Sequence, residues 1–140
     1  MNKTGLMDEF DWPVRVYYED TDAGGVVFYA NYLKFMERAR TEYLRSLGYE
    51  QDVLREREGL IFAVRHVEID YQRPARFNDL LLVRSRASLR SRTSVTFSQQ
   101  VLREETCLTD ATIMVVCLDA VRFRPRAIPE SMSEAFQRVS

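Results

Sequence analysis

A chain of 140 residues, 46% hydrophobic and 29% charged, has the balance of a folded globular protein and not of a disordered tract. Folding at this length buries about 68–70% of the surface the unfolded chain exposes, so a core forms without staples. The expectation is one domain over residues 1–140. A formal net charge of −1 supplies no field that would draw the chain to nucleic acid or anionic lipid.

Cys107 and Cys117 are the only cysteines, and without a dense framework they read as free thiols of a reducing compartment. The opening MNKTGLMDEF has one lysine and no apolar stretch of a secretory leader. No apolar run approaches the ~20 residues of a membrane span, and the run from Ile113 to Leu118 is strand length. These features predict a cytoplasmic protein with no membrane insertion.

In chain order, Val14, Val16 and Tyr18 alternate with Arg15 and Tyr17, the period of a half-buried first strand. An acidic turn with two glycines, EDTDAGG, follows. A long helix is then predicted, because Tyr29, Tyr32, Leu33, Met36, Ala39, Tyr43, Leu44 and Leu47 recur at three- and four-residue spacing. Lys34, Glu37, Arg38, Arg40 and Glu42 fall opposite, and Gly48 ends the helix. The charged segment Glu50–Glu58 suggests a second, short helix.

From Leu60 onward the period is two. Val67, Ile69 and Tyr71 form one strand; Leu81, Val83, Ala87 and Leu89 a second; Val95, Phe97 and Val101 a third. The run Ile113–Leu118, apolar on both faces, predicts a central strand continuing through Val121 and Phe123. Short connections imply antiparallel hairpins, and Glu130–Arg138 predicts a terminal helix. Strand, long helix, then four long strands make an α+β protein whose sheet covers one apolar helix.

The inventory excludes several chemistries. His66 is the only histidine, so a zinc site or a Ser-His-Asp triad lacks its parts, and no metal or cofactor is expected. Gly24-Gly25 lacks both the lysine of a phosphate loop and the third glycine of a dinucleotide fingerprint. What remains is Asp22 beside a helix start. Free N–H groups there polarise a carbonyl and stabilise an oxyanion. An ionised carboxylate beside it can attack that carbonyl or activate water. The same residues also spell a surface turn in which Asp22 bonds its own backbone.

The segment RVYYEDTDAGGVVFYANYLKFMERARTEYLRSLG resembles the opening of hotdog-fold acyl-CoA thioesterases of the 4-hydroxybenzoyl-CoA thioesterase type. The resemblance is strongest to the YbgC-like branch associated with the bacterial Tol–Pal system, and VRHVEIDYQRPARFNDLLLV and ATIMVVCLDAVRFRPRAIP extend it over nearly the whole chain. It implies a curved antiparallel sheet wrapped around one long central helix. It implies Asp22 as the catalytic carboxylate and the Tyr29 N–H as the donor to the thioester carbonyl. Many members of the branch carry histidine at Tyr29; if the backbone N–H alone is used, the oxyanion contact survives that exchange.

The resemblance also implies an acyl-CoA or acyl-carrier-protein substrate, and homodimers joined edge to edge that assemble into homotetramers. Coenzyme A carries phosphates, so arginines are expected at the pocket mouth. Arg90 and Arg92 are the candidates, with ordinary solubilising charge as their alternative. Arg122, Arg124 and Arg126 form a second basic strip. A competing reading is a non-hydrolysing scaffold that binds acyl groups or a protein partner near the Tol–Pal machinery. A hotdog hydratase would need a catalytic histidine near the helix, and His66 is far along the chain.

Overall fold

Strand β1, Phe10–Arg15, opens the fold in the computed structural model, which describes residues 9–139. Residues 1–8, most of the segment read as free of a leader pattern, lie outside the described residues. Phe10, Trp12 and Val14 turn toward the core, and Phe10 stacks on Tyr43 with ring centroids 5.3 Å apart. The strand lies four residues earlier than the Val14–Tyr18 alternation predicted. The Asp20 carboxylate accepts the Tyr17 N–H at 2.8 Å and curls Tyr18–Asp20 into a single 3-10 turn. A local side-chain bond has displaced the sheet ladder there, and Tyr18 stays exposed.

Helix α1, Asn31–Ser46, buries Tyr32, Phe35, Met36, Ala39, Tyr43 and Leu44. Gly48, at φ 96°, ends it as predicted. The Tyr49 N–H reaches the Leu44 carbonyl at 2.9 Å and the Gly48 N–H that of Arg45 at 3.0 Å, so the last turn's carbonyls are satisfied. Arg40, expected on the charged face, instead turns in beneath the helix, and Leu33, expected in the apolar face, is exposed. Helix α2, Gln51–Glu58, is the predicted short helix.

Four strands follow: β2 (Leu60–Tyr71), β3 (Leu80–Leu89), β4 (Ser94–Arg103) and β5 (Thr106–Asp119), with helix α3 (Glu130–Val139) last. The sheet order is β1-β3-β4-β5-β2, every neighbour antiparallel. Leu81, Val83 and Ala87 of β3, Val95, Phe97 and Val101 of β4, and Ile113, Val115 and Cys117 of β5 all bury their side chains. With α1 in its fold, this is the hotdog arrangement.

Three polar residues, Ser85, Gln99 and Thr109, occupy apolar slots of that inner face. Gln99 is fully buried and fully used: its Nε2 donates to Met36 O at 3.0 Å and Ser85 Oγ at 2.9 Å, and its Oε1 accepts from Arg40 Nη1 at 2.9 Å. This staple ties α1 to β3 and β4 with no unpaired group of its own. Val121 and Phe123 do not continue β5. The Asp119 carboxylate accepts the Val121 and Arg122 N–H groups at 3.1 and 2.7 Å, the chain turns, and both apolar side chains are exposed.

The two sheet edges differ. β1 is six residues long and carries Pro13, which cannot donate to a further strand. β2 is twelve residues long, with one irregularity where Val64 pairs Val115 and His66 pairs Met114, leaving Arg65 as an extra residue. Among the described residues no helix is long and apolar enough to cross a membrane.

Candidate active site

The residues from Asp20 to Phe28 form a small hairpin ahead of α1. Phe28 N–H donates to Asp20 O at 3.0 Å, Thr21 bridges Val27, and Asp22 N–H donates to Val26 O at 2.9 Å. Its loop is Ala23-Gly24-Gly25, closed by the Gly25 N–H on Asp22 O at 3.0 Å. Gly25 takes φ 81°, the left-handed residue that a three-residue hairpin loop requires. A Cβ on Gly24 would stand 3.3 Å from Asp22 Oδ1. The hairpin docks on the chain ahead of β3 through Val27 N–H to Ala75 O at 2.8 Å and a bridge from Val26 to Arg76.

Asp22 is exposed, and its Oδ1 accepts the Gly24 N–H at 2.8 Å. The turn role read as its alternative is therefore present. That bond also fixes the carboxylate's direction, and Oδ2 accepts nothing from the described residues. Carboxylate orientation and availability are compatible here.

Just past the hairpin, Tyr29 stands two residues before α1, which begins at Asn31. The Phe28 carbonyl accepts the Asn31 N–H at 2.8 Å. In a trans peptide the N–H points opposite to the carbonyl. Tying Phe28 O to the helix therefore aims the Tyr29 N–H outward, and among the described residues nothing accepts it. The Tyr29 ring is exposed and meets Tyr71 edge-on at 6.2 Å, while Tyr71 Oη donates to Tyr29 O at 3.0 Å. Burial, with the phenols of Tyr29 and Tyr32 beside it, pushes Tyr71 above the ordinary tyrosine value and keeps it a donor. Val27, Tyr29, Tyr32, Tyr71 and Pro74 line a shallow groove at this point.

Asp20 and Asn31 organise the arrangement, and their distance apart in sequence hid it. Asp20 Oδ1 accepts from Asn31 Nδ2 at 2.9 Å, Oδ2 holds Tyr17 N–H, and its carbonyl holds Phe28 N–H. Asn31 orders the turn and does not cap the helix, whose N-cap is Ala30 without a side-chain cap. Glu19 is exposed beside it. Tyr71 gave no signal beyond its place on a strand.

Arg90 and Arg92 lie elsewhere. They flank the β3–β4 hairpin, where Arg90 N–H donates to Ser94 O and Arg92 O accepts from Ile128 N–H. Asp22's hairpin adjoins the opposite end of β3, since Val16 N–H binds Asp79 O beside Leu80. The length of β3 separates them within one chain, roughly 30 Å at the rise of a strand. Arg122 and Arg124 share the Arg90 end, and Arg126 Nη1 donates there to Glu58 O at 2.8 Å. His66 is exposed, with Nε2 3.1 Å from Glu68 Oε1. Among the described residues no group of acidic, histidine or cysteine side chains could hold a metal ion.

Residues 24–108 match the family model of the thioesterase superfamily. The chain is 45% identical over 134 residues to the acyl-CoA thioesterase YbgC of Haemophilus influenzae, covering 96% of this chain and 98% of that one. It is likewise 45% identical over 130 residues to the acyl-CoA thioester hydrolase YbgC of Escherichia coli O157:H7, covering 92% and 96%. The crystal structure of a probable thioesterase from Bartonella henselae superimposes with a TM-score of 0.83 at 37% identity, covering 86% of this chain and 99% of that one. With the hotdog sheet, the EDTDAGG hairpin and this extent of identity, the chain belongs to the thioesterase superfamily and, within it, to the YbgC family.

Proposed function

We propose that this chain hydrolyses acyl-CoA thioesters, with Asp22 as nucleophile or general base and the Tyr29 N–H as oxyanion donor. The observation that carries the reading is the Phe28–Tyr29 peptide at the base of the Asp22 hairpin, whose carbonyl is tied into α1 while its N–H has no acceptor among the described residues. The names of the YbgC relatives support coenzyme A esters as the substrate class.

A thioester carbonyl oxygen on the Tyr29 N–H becomes more electrophilic at carbon. Asp22 then attacks that carbon, or takes a proton from a water that does, and the oxyanion gathers on a donor already in position. Collapse expels the coenzyme A thiolate. On the covalent route a water then cleaves the acyl-aspartyl anhydride; on the other the free acid forms directly. Either way one water is consumed and Asp22 is regenerated.

The same reading includes a homodimer through β2, the long edge without a proline, with dimers pairing further into tetramers. Two β2 strands paired antiparallel about a twofold set the Leu60 end of one against the Tyr71 end of the other. The Leu60 end carries the arginine loops, since Ala120 N–H binds Gly59 O at 2.8 Å. The Tyr71 end carries Tyr29. Arg90 and Arg92, with Arg122 and Arg124 beside them, would then bind coenzyme A phosphates at the partner's Asp22.

The test is Asp22→Asn assayed by thiol release on short, long and aromatic acyl-CoAs. A loss of roughly 10²–10⁴-fold is expected for removing the base or nucleophile. Turnover like the wild type would sink the mechanism. A wild-type protein that released thiol from no acyl-CoA or acyl-carrier-protein thioester would favour the non-hydrolysing scaffold near the Tol–Pal machinery.

A further inference from the structure

Along the β2-facing side of α1, hollows follow one another from Tyr29 toward the helix middle. The first is the groove at Tyr29 and Tyr71. A second lies between Leu33 and Val67, and a third, of about 170 Å³, lies beneath Arg40 and Leu44. The second and third share Glu37, Arg40 and Val64. Arg40 is the tenth residue of α1, roughly 14 Å along the axis from its first residue.

The innermost hollow has an apolar wall on its sheet side and a polar rim of Glu37, Arg40, Thr41 and Gln51. Phe62, Val95, Phe97, Val115 and Phe136 line it, and the Arg40 guanidinium carbon stands 6.0 Å from the centre of the Phe97 ring. Of that guanidinium's five donors, Nη1 reaches Gln99 Oε1 at 2.9 Å, and among the described residues Gln99 is its sole acceptor. No carboxylate of the described residues comes within ion-pair distance. Glu37, one turn earlier on the same helix, is exposed. Burial holds Arg40 below the ordinary arginine value, with Glu37 pulling the other way, and a guanidinium remains charged there. A partly buried cation set against one neutral amide leaves donors free for an anion to complete. Elsewhere in this chain half-exposed arginines have such anions: Arg84 holds Asp11, and Arg103 holds Asp79.

We propose that Arg40 is a specificity residue that receives a carboxylate at the far end of a medium-length acyl group, so that ω-carboxyacyl thioesters are preferred over plain acyl thioesters. The proposal rests on the hydrolysis reading above, with the thioester at Tyr29 and the acyl chain running along α1. The apolar walls accept the methylenes, and the unused donors of the guanidinium form the paired hydrogen bonds that suit a carboxylate. Gln99 keeps its place, since it occupies only Nη1.

Suberyl-CoA and octanoyl-CoA, equal in chain length, separate the two cases by their kcat/KM ratio in wild type, Arg40→Met and Arg40→Lys. The wild type is expected to favour suberyl-CoA by roughly 10- to 100-fold, the worth of a charged hydrogen bond. Arg40→Met should bring the ratio to about one or below, and Arg40→Lys, which lacks the planar fork, should lower it part of the way. A wild-type ratio at or below one overturns the proposal, as does a Met variant with the wild-type ratio. Should Arg40→Met fail to fold by circular dichroism, the Lys variant decides, and an unchanged ratio there overturns it. If the wild type hydrolysed neither ester, the wider panel of short, long and aromatic thioesters would judge the hydrolysis reading separately. Calorimetry with free suberate and octanoate would then judge the Arg40 site: tighter suberate binding supports it, and equal or reversed affinities overturn it.

Discussion

The two ends of the sheet are built on opposite plans. At the Asp22 end nearly every polar group is spent on another: Asp20 holds three donors, Ala75 holds Val27, and Tyr71 holds Tyr29. Among the described residues, Asp22 Oδ2 and the Tyr29 N–H are left without a partner there. At the other end the backbone is tied, through Arg92 O, Gly59 O and the Asp119 carboxylate, while Arg90, Arg92, Arg122 and Arg124 project exposed side chains. The first end fixes a few groups in direction, as bond-making chemistry needs. The second offers movable cations, which suits a flexible polyphosphate and would serve poorly as a site of reaction.

If the first end works by direction, its sharpest break is Tyr29→Pro. Its N–H has no partner among the described residues, so the fold loses no hydrogen bond. Activity should fall ~10²–10³-fold, the usual cost of one oxyanion donor. Thiol-release kinetics beside a circular dichroism control checks this, and activity within a few-fold of wild type would remove Tyr29 from the mechanism.

A smaller effect is expected at Asp20. Asp20→Ala strands the Asn31 amide and the Tyr17 N–H, which costs about 1–3 kcal/mol of stability by the general penalty for unpaired polar groups. Loosening the hairpin should lower kcat about tenfold with KM nearly unchanged, because the substrate's remote contacts are untouched. A urea titration measures the first quantity and steady-state kinetics the second. A variant with reduced stability and an intact kcat would make Asp20 a fold residue alone.

How much of this could be read from sequence follows a physical line. The long helix and four strands were legible because their side chains repeat at 3.6 or 2 residues, and the EDTDAGG motif carried the family. Gln99 and Ser85 were not, since polar residues in apolar slots look like interruptions until the three-way bond among them and α1 exists. Val121 and Phe123 kept the alternation of a strand after Asp119 had turned the chain. Asp20 bonds across eleven residues to Asn31, and Arg40 sits at the margin of the helix's charged arc. Both are tertiary facts that no local period encodes. The distance between Asp22 and Arg90 is of the same kind: two arginines beside a hairpin carry no sign of how far the fold sets them from Asp22.

That separation makes the second plan testable. Replacing both Arg90 and Arg92 by alanine should raise KM several-fold and leave kcat near its value, with the effect shrinking as salt screens the phosphates. At substrate well below KM, mixing the double variant with Asp22→Asn should raise activity above the sum of the two alone if the arginines act on the partner's site. Every mixed dimer then holds one site with both Asp22 and its arginines intact. Arginines acting within their own chain would leave no intact site, and mixing would restore nothing.

The smallest effect compares the cysteines at the two ends of β5. Cys107, half-buried near the Asp22 end, is pushed up by burial and then by the charge of Asp110. Cys117, beneath the arginine loop, is buried and pushed up to about 11, with Arg126 opposing the shift. An ordinary thiol ionises near 8.5, so in the folded protein Cys117 stays protonated as pH rises past that value. Its contribution to stability is present below pH ~8.5 and declines as pH climbs from there toward 11. At pH 8 iodoacetamide should therefore modify Cys107 first, and Cys117 only when the loop or the whole sheet opens. Quantitative mass spectrometry against urea distinguishes those routes. A Cys117 rate that is fast and insensitive to low urea means the arginine loop lifts by itself, as movable cations imply. A rate that tracks global unfolding means the mobility of the second end stops at the side chains, and its backbone is held as firmly as that of the first.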